Sequence, residues 1–297
     1  MTGLSRALPV LTVLAALLLV WYAAVVPMNA GLVRDTAART GQTLTTTEVL
    51  AQTMTMARPR LPAPHQVAVE LWKGITGQPV TSKRSLVYHG WVTMEATLTG
   101  FALGIVVGVG LAVAVVYFRV MEASVMPWAV ISQTIPIVAL APMIVVLSNS
   151  LGLGERLGLD NRLVSKTIIA AYLSFFPVLV GMVKGLRSPD AMQTDLLRTW
   201  NASGTQSFWK LRLPASMPYF FASLKVAIAA ALLGAIVGEL PTGAVEGLGA
   251  RMLVASQFGQ PLLMWASLFA AALAAGVLIL SVGAIQRVAD RRMGGRA

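Results

Sequence analysis

The chain has 297 residues, a net charge of +11, a mean hydropathy of +0.73 and no Cys. Its residues are 56% apolar and only 12% charged, whereas about 25% of the residues of ordinary soluble domains are charged. So few charges argue against a soluble enzyme and exclude a disordered chain. The lack of Cys excludes a disulfide-stapled domain and a thiolate metal site.

Six apolar runs are long enough to cross a bilayer, because about 18 apolar residues with few charges suffice for a spanning helix. The first run precedes Met28-Asn29-Ala30, so a cleaved signal peptide is the alternative there. Its roughly 20 apolar residues exceed the 7–15 of a signal peptide, which favours an uncleaved span. The predicted spans are residues 7–26, 91–118, 127–147, 163–183, 217–240 and 262–285.

Residues 29–89 form a polar segment between the first two spans. Within it, the prolines of Leu61-Pro62-Ala63-Pro64 impose an extended backbone. The apolar spacing of residues 67–72 then predicts a short amphipathic helix. We therefore expect a solvated loop that carries one short helix.

The basic residues indicate orientation and lipid contact. They stand between apolar runs and do not cluster with aromatic residues on one face, so we expect no nucleic-acid partner and contact with the lipid bilayer instead. Most lie on the side that carries both termini, which predicts cytoplasmic termini and a bacterial inner-membrane location. Three basic residues on the opposite side run against this rule: Arg156, Arg162 and Lys166.

The cytoplasmic connector of residues 184–214 is the longest polar stretch in the second half of the chain. Its apolar residues recur at intervals of three and four, which predicts two short helices with a break near residues 201–204. Pro189-Asp190 is a start signal for the first helix, and Pro214 is expected to end the second. Exposed aromatic residues on such a connector are costly unless the membrane bundle or another protein covers them.

This connector resembles the cytoplasmic signature of permeases from binding-protein-dependent ABC importers. That signature is Glu-Ala-Ala, three residues, Gly, nine residues, an aliphatic residue, one residue and Leu-Pro. Here Asp195-Leu196-Leu197, Asn201 and Leu211-Arg212-Leu213-Pro214 stand at the same intervals. Asp195 keeps the charge of the signature Glu, and Asn is the non-Gly residue that best tolerates a left-handed backbone.

Other stretches are similar to the nitrate/sulfonate/taurine branch of this family, so that the resemblance covers nearly the whole chain after Leu61. They include Gly100-Phe101-Ala102-Leu103-Gly104 and residues 135–142. The resemblance implies an all-α integral membrane protein with six transmembrane helices, the type I ABC importer permease fold (MetI-like) and a cytoplasmic coupling helix. The implied coupling loop comprises Asp195, Leu196, Leu197, Arg198, Trp200, Asn201, Ala202, Ser203, Phe208, Trp209, Lys210, Leu211, Leu213 and Pro214.

The resemblance also implies the partners: an ABC ATPase dimer, a periplasmic solute-binding protein and a second permease copy or paralogue. The chain itself would bind no cofactor, since ATP and Mg would be used by the ATPase. We expect a transport subunit and not an enzyme. The implied substrate is a small anion such as nitrate, taurine or another sulfonate, or else a pyrimidine-like heterocycle.

Energetic reasoning from the residues agrees with this implication. The chain has no Gly-x-x-x-x-Gly-Lys-Ser/Thr loop for a nucleotide and no chain of intramembrane carboxylates for proton coupling. Energy would then arrive by contact, with Trp200, Phe208 and Trp209 as aromatic anchors and Arg198 and Lys210 as rim charges. Each aromatic could instead pack against the spans of its own chain. An ATP-independent secondary carrier or channel is the alternative function.

A few polar or helix-breaking residues in the spans are candidates for a translocation path or gate. Pro136 and Pro142 interrupt the third span, and broken helices at membrane depth often line a cavity. Glu239 matches an acidic position in the family, which implies a gate or a contact with the binding protein. Glu95 is close to the membrane interface, where plain solvation would suffice.

Glycines in the second span and the two histidines complete the candidate residues. Gly100, Gly104 and Gly108 form a small-residue ridge that predicts close helix packing. His65 and His89 have no third ligand, so we expect no metal site. The predicted division is a helix at 1–28, a periplasmic loop at 29–89, a five-helix permease domain at 90–285 and a basic tail at 286–297.

Overall fold

The computed structural model describes residues 3–241 and 246–292, with side chains from residue 8 onward, and the elements in these ranges are all helical. Five helices are long and apolar enough to cross a membrane, and a sixth crossing results if one sharply bent pair counts as a span. The predicted all-α fold is therefore confirmed. The helices are α1 (Gly3–Arg39), α2 (Thr46–Thr55), α3 (Pro64–Thr76), α4 (Leu86–Tyr117), α5 (Arg119–Ser132), α6 (Ile137–Ser150), α7 (Leu153–Leu157), α8 (Asn161–Leu186), α9 (Ala191–Thr199), α10 (Gly204–Ser207), α11 (Leu213–Glu239), α12 (Leu248–Gln257) and α13 (Pro261–Arg292).

The chain divides into two compact units, and the first comprises residues 1–89 and 251–270. The fully buried amide of Asn29 organises this unit, because its Nδ2 donates to the carbonyl of Leu61 at 2.8 Å and its Oδ1 accepts from the backbone N–H of Arg60 at 2.8 Å. Ala63 is extended, and α3 begins at Pro64, as the proline spacing predicts. The amphipathic helix expected at residues 67–72 is thus present and longer, but the expectation of one short helix is wrong, because α2 is a second helix in the same segment.

Aromatic side chains also stabilise the first unit. Trp21 donates its indole N–H to the carbonyl of Pro62 at 3.0 Å and stacks on Phe269 with ring centroids 5.8 Å apart. Tyr22 lies parallel to the His65 ring. These contacts attach α1 to the proline-containing turn and to the start of α13, so the polar segment is folded against the first span.

The second unit comprises residues 90–250 and 271–297, and α8 and α11 form its centre. Small residues let these two backbones approach closely. A Cβ atom at Gly234 of α11 would lie 2.7 Å from the Cα of Ala170, and one at Gly185 of α8 would lie 2.8 Å from the Cβ of Ser216. Both helices are therefore packed at distances that larger residues would not allow.

The glycine ridge of α4 packs against α8. A Cβ atom at Gly100 would collide with Ala170, one at Gly104 with Ser174, and one at Gly108 would lie 2.7 Å from the carbonyl oxygen of Phe175. The predicted close packing of this ridge is confirmed.

The third predicted span, residues 127–147, is not one straight helix. Its two halves, α5 and α6, meet at an angle of 106° around residues 133–136. Pro136 lies at the break, and the Tyr172 hydroxyl of α8 donates to the free carbonyl of Ser132 at the end of α5. Pro142 lies inside α6 without ending it, so only one of the two prolines interrupts the span.

Several predicted boundaries also need correction. Helix α1 ends at Arg39 and not at residue 26, the end of the predicted span, or residue 28, the end of the predicted first domain. Helix α13 ends at Arg292 and not at residue 285. An apolar run marks only the part of a helix that crosses the membrane, and the helix can continue into the polar sequence beyond it. Lys166, one of the three basic residues that oppose the predicted orientation, lies in α8 within the fourth predicted span and is 5% exposed. Residues 293–297 of the predicted basic tail lie outside the described residues.

Candidate functional site: the connector and the Glu239 cluster

The connector between α8 and α11, residues 187–212, is folded along its whole length. Asp190 caps α9 by accepting a hydrogen bond from the N–H of Ala191 at 2.6 Å, and Gln193 returns one by accepting from the N–H of Asp190 at 3.2 Å. The start signal predicted at Pro189-Asp190 is therefore confirmed. A capped helix in this position presents its side chains in a fixed arrangement.

The turn after α9 has the left-handed residue that the family signature needs. Asn201 has a φ of +52°, the one positive value among the non-Gly residues that the structure describes. The N–H of Asn201 bonds to the carbonyl of Arg198 at 2.9 Å, and the N–H of Ala202 bonds to that of Leu197 at 3.0 Å. This pair of bonds is the Schellman ending of a helix. Asn201 thus replaces the signature Gly without loss of the turn.

The second half of the connector differs from the prediction. Ser203 caps α10 by accepting from the N–H of Gln206 at 3.2 Å, and the chain then passes through a π-helical turn at Phe208–Arg212 directly into α11. Pro214 does not end a helix; it lies in the first turn of α11. A proline lacks the N–H of a regular helix, and the wider turn before it accommodates the missing bond.

The connector exposes an apolar stripe that follows one face of α9. Met192, Leu196 and Trp200 recur every four residues and are 77%, 52% and 72% exposed, and Trp209 of the π-helical turn is 62% exposed. We call these four residues the connector stripe. Met192 is absent from the predicted site, although its spacing of four from Leu196 is the signal that identifies it.

Phe208 points the other way. Its ring meets that of Tyr117 of α4 edge-on at 6.1 Å, and it packs against the apolar core of the second unit. The guanidinium of Arg212 lies 5.8 Å from the centre of the same Tyr117 ring. Of the three predicted aromatic anchors, Trp200 and Trp209 are therefore outward and Phe208 holds the connector to the spans.

The remaining predicted connector residues surround the stripe. Asp195 and Arg198 form an exposed ion pair at 3.1 Å within α9, and Lys210 is exposed. Four other apolar residues of the connector are partly buried, so they face the protein and not the solvent. They are Leu197, Ala202, Leu211 and Leu213.

Glu239, at the end of α11, belongs to a separate and fully buried cluster. Its carboxylate accepts from the Thr93 hydroxyl of α4 at 2.8 Å and from the N–H of Gly249 at 2.7 Å, and the N–H of Ala250 also donates to it. The positive charge of buried Lys166 lies near it. A carboxylate at the first N–H groups of α12 is stabilised by the helix dipole.

The chain around this carboxylate requires glycine. Gly247 has a φ of +119°, and a Cβ atom there would collide with the Glu239 carboxylate. The N–H of Leu248 donates to Thr93 Oγ1 at 2.9 Å, which closes the cluster. Sequence reasoning missed Thr93, Gly247 and Gly249; the pattern Gly-Leu-Gly soon after an intramembrane Glu is the signal that could have found them.

The three residues predicted for a path or gate do not come together among the described residues. Pro136 and Pro142 are exposed on and beside α6, whereas Glu239 is 0% exposed. Glu239 therefore has no surface in this structure with which to contact a binding protein. Its assignment to a gate, like those of the two prolines, stays a prediction. Glu95 is exposed on α4.

Comparison with known proteins places this chain in a family. Residues 100–295 match the family described as binding-protein-dependent transport system inner membrane component. A probable ABC transporter permease of Haemophilus influenzae is 33% identical over 66% of this chain and 75% of its own. A formylaminopyrimidine transport permease of Halalkalibacterium halodurans is 33% identical over 64% and 68%, and a riboflavin transport system permease of Chloroflexus aurantiacus is 30% identical over 78% and 80%.

The chain belongs to this family of inner-membrane permeases of binding-protein-dependent ABC importers. Members are transport components rather than enzymes, and the family implies partnership with an ATPase and a binding protein. The predicted family is confirmed.

Proposed function

We propose that the connector is where an ABC ATPase subunit docks and drives substrate import through the spans. The connector stripe carries this proposal, because four large apolar side chains are exposed on a segment built of a capped helix and a π-helical turn. Exposed apolar clusters of this kind mark protein contacts. Buried aromatic anchors dominate the affinity of such helix-in-groove contacts, which assigns the leading roles to Trp200 and Trp209.

The charges beside the stripe fit the rim of the same contact. Asp195 and Arg198 already pair with each other, so neither leaves an isolated charge when the ATPase covers the stripe. Lys210 is exposed and adds a positive charge at the edge of the stripe. Rim charges change the rate of association more than the affinity.

The connector faces the cytosol in this proposal, and both termini lie on the same side. The supporting observation is the excess of Lys and Arg in the short segments of that side. Two such permeases, either identical or paralogous, would enclose the pathway above two ATPase subunits that use ATP and Mg. A periplasmic binding protein would deliver the substrate on the opposite face.

The substrate we propose is a small nitrogen-containing heterocycle related to pyrimidines. Two of the similar permeases are named for formylaminopyrimidine and riboflavin, both of which contain such rings. The small anions implied by the sequence resemblance, namely nitrate, taurine and other sulfonates, are the competing class.

Docking is tested by co-purification of the full chain with an ATPase subunit encoded beside it. Replacing both Trp200 and Trp209 by Ala should weaken binding of the ATPase by at least about 30-fold, the factor that one hot-spot residue of about 2 kcal/mol gives, since hot-spot contributions need not add. Trp128→Ala is the matched control, because Trp128 is as exposed as Trp200 but lies on α5. Uptake that persists without any ATPase would favour a secondary carrier or channel instead.

Substrate class is tested by uptake into vesicles that contain the assembled importer. Labelled formylaminopyrimidine, riboflavin, taurine and nitrate would be compared at equal concentration. Uptake confined to the ring compounds supports the proposal, and uptake of taurine or nitrate alone refutes it.

A further inference from the structure

A cavity of about 490 Å³ opens between α5, α8 and α11, where α8 ends and the connector begins. This volume is within the 300–1,000 Å³ of typical ligand pockets. We call it the Arg187 pocket. Its walls differ in chemistry along α8: the deeper part is apolar, and the end beside the connector is polar. The lining residues are Met126, Val180 and Val183 in the apolar part, and Lys184, Arg187, Ser188 and Tyr219 in the polar part.

The two cations of the polar end are held in place. Arg187 forms a bidentate pair with Glu122 of α5, at 2.9 Å and 2.8 Å. A guanidinium has five N–H donors, and this pair uses two of them, so others are available to a ligand. The ammonium of Lys184 lies 5.6 Å from the centre of the Tyr219 ring. Both positive groups are thus positioned before any ligand arrives.

The local charge favours an anion. Lys184 and Arg187 line the pocket. Arg119 also interacts electrostatically with the Glu122 carboxylate, so three positive charges lie near this single negative one. Ser188 lines the same end of the pocket, and its hydroxyl donates to the carbonyl of Gly185 at 2.7 Å, so the charge of the two cations carries the preference for an anion. Planar guanidinium and ammonium groups together are the usual partners of phosphate oxygens.

The position of the pocket decides between a soluble anion and a lipid. Leu186 is the last residue of the spanning helix, so Lys184 and Arg187 lie at the boundary between lipid and water. Val180 is one helical turn deeper and 38% exposed, which leaves an apolar surface beside the charges. A phospholipid has the same order of chemistry along the membrane normal, with its phosphate at the boundary and its acyl chain below.

We propose that the Arg187 pocket binds one anionic phospholipid of the leaflet on the connector side. Lys184 and Arg187 hold its phosphate. Its acyl chain lies along Met126 and Val180. Bound there, the lipid bridges the bent third span and the two helices that carry the connector, so the lipid composition of the membrane affects the base of the connector.

Native mass spectrometry of the full chain in detergent tests this site, with dioleoyl phosphatidylglycerol and dioleoyl phosphatidylcholine as probes. We expect one phosphatidylglycerol to be retained in preference to phosphatidylcholine. The double variant Lys184→Gln/Arg187→Gln should weaken retention about 25-fold, because each basic residue near a lipid headgroup contributes about a fivefold factor. Arg291→Gln, which removes an exposed cation in the last turn of α13, should leave retention unchanged.

Two further arms separate the sources of the ligand. Inorganic phosphate at millimolar concentration should not displace the lipid, and displacement by phosphate alone would overturn the lipid assignment. Val180→Trp fills the apolar part of the pocket and leaves Lys184 and Arg187 in place. It should weaken lipid retention if the acyl chain occupies that part. Equal retention by the wild type, this variant and the double variant would refute the site.

Discussion

The packed pair α8–α11 and the connector that joins its two helices are neighbours in sequence but opposite in construction. The pair is held by glycines whose missing side chains bring the backbones together, as at Gly234 and Gly185. The connector carries large apolar side chains that point away from the molecule, as at Trp200 and Trp209. One region maximises internal contact, and the other leaves its largest side chains uncovered.

This difference suggests that the connector receives the contact with the ATPase and that the α8–α11 pair transmits the resulting movement to the spans. A contact made on Trp209 of the connector stripe reaches α11 through a continuous helical path, because the π-helical turn that carries Trp209 runs into α11 without a loop. It then meets a pair too tightly packed to absorb the displacement locally, since close-packed interiors transmit strain. The predictions below test this division of roles, beginning with the largest expected effect.

Gly234→Val should strongly destabilise the second unit. The added side chain would meet the backbone of Ala170 at 2.7 Å and the carbonyl of Ile169 at 2.9 Å, and neither can move without separating α8 from α11. We expect a loss of at least about 3 kcal/mol in the free energy of unfolding, measured by thermal denaturation in detergent. Gly276→Val is the control, because a Cβ atom there meets nothing within 4 Å. Equal effects would show that close packing at Gly234 is not what holds the pair.

Glu239→Gln should destabilise the protein by about 1–3 kcal/mol. The amide keeps the shape of the carboxylate but turns one acceptor into a donor that faces the N–H groups of α12. The same denaturation measurement applies, with Glu95→Gln as the exposed control within about 0.5 kcal/mol of wild type. An unchanged unfolding free energy for Glu239→Gln would mean that the cluster tolerates an amide.

Phe208→Ala and Trp209→Ala should separate stability from docking. Phe208 packs on Tyr117, so its truncation should lower the unfolding free energy by about 2 kcal/mol, less than for a fully buried ring. Trp209 is exposed, so its truncation should change stability by less than about 0.5 kcal/mol while weakening ATPase co-purification. The reverse pattern would exchange the roles of the two residues.

Asn201 variants should show how well this chain replaces the signature glycine. Asn201→Ala forces a left-handed Ala and should cost about 1 kcal/mol, whereas Asn201→Gly should be neutral or slightly stabilising. Amide hydrogen exchange of α9 reports the difference as faster exchange in the Ala variant only. Ser207→Ala, just after this turn in α10, serves as a neutral control.

Glu48 should give the smallest effect, confined to acid pH. Hydrogen bonds from the N–H and hydroxyl of Thr45 lower the pKa of this carboxyl below its usual range. A lowered pKa in the folded state means that the stabilisation is present above the ordinary pKa and is lost as the pH falls through the folded value. The protection of amide hydrogens at the start of α2, measured as the exchange rate relative to the intrinsic rate at each pH, should therefore decrease at acid pH in wild type, and Glu48→Gln should remove that dependence.

Local signals in the sequence anticipated much of the connector. The intervals from Asp195 to Pro214 identified the family, the Pro189-Asp190 pair located the start of α9, and the tolerance of Asn for a left-handed backbone predicted the turn at Asn201. Each of these depends on one or two neighbouring residues. The prediction that Pro214 ends a helix was wrong, because a proline that follows one helix and a proline that begins the next can have the same neighbouring residues.

The Glu239 cluster could not be predicted in the same way. Its partners Thr93 and Gly249 are 146 and 10 residues away along the chain, and only the packing of α4 against α11 makes the first of them a neighbour. Near a helix end, a solvated Glu and a fully buried one have the same local pattern.

By itself, the order of amino acids determined that this is a helical membrane permease with a signature-bearing connector, because apolar run length and residue spacing depend only on neighbours in the chain. Tertiary structure alone decided which aromatic side chains face outward, where the third span bends and that Glu239 is enclosed. Those outcomes follow from which helix faces meet, and that depends on residues far apart in the sequence.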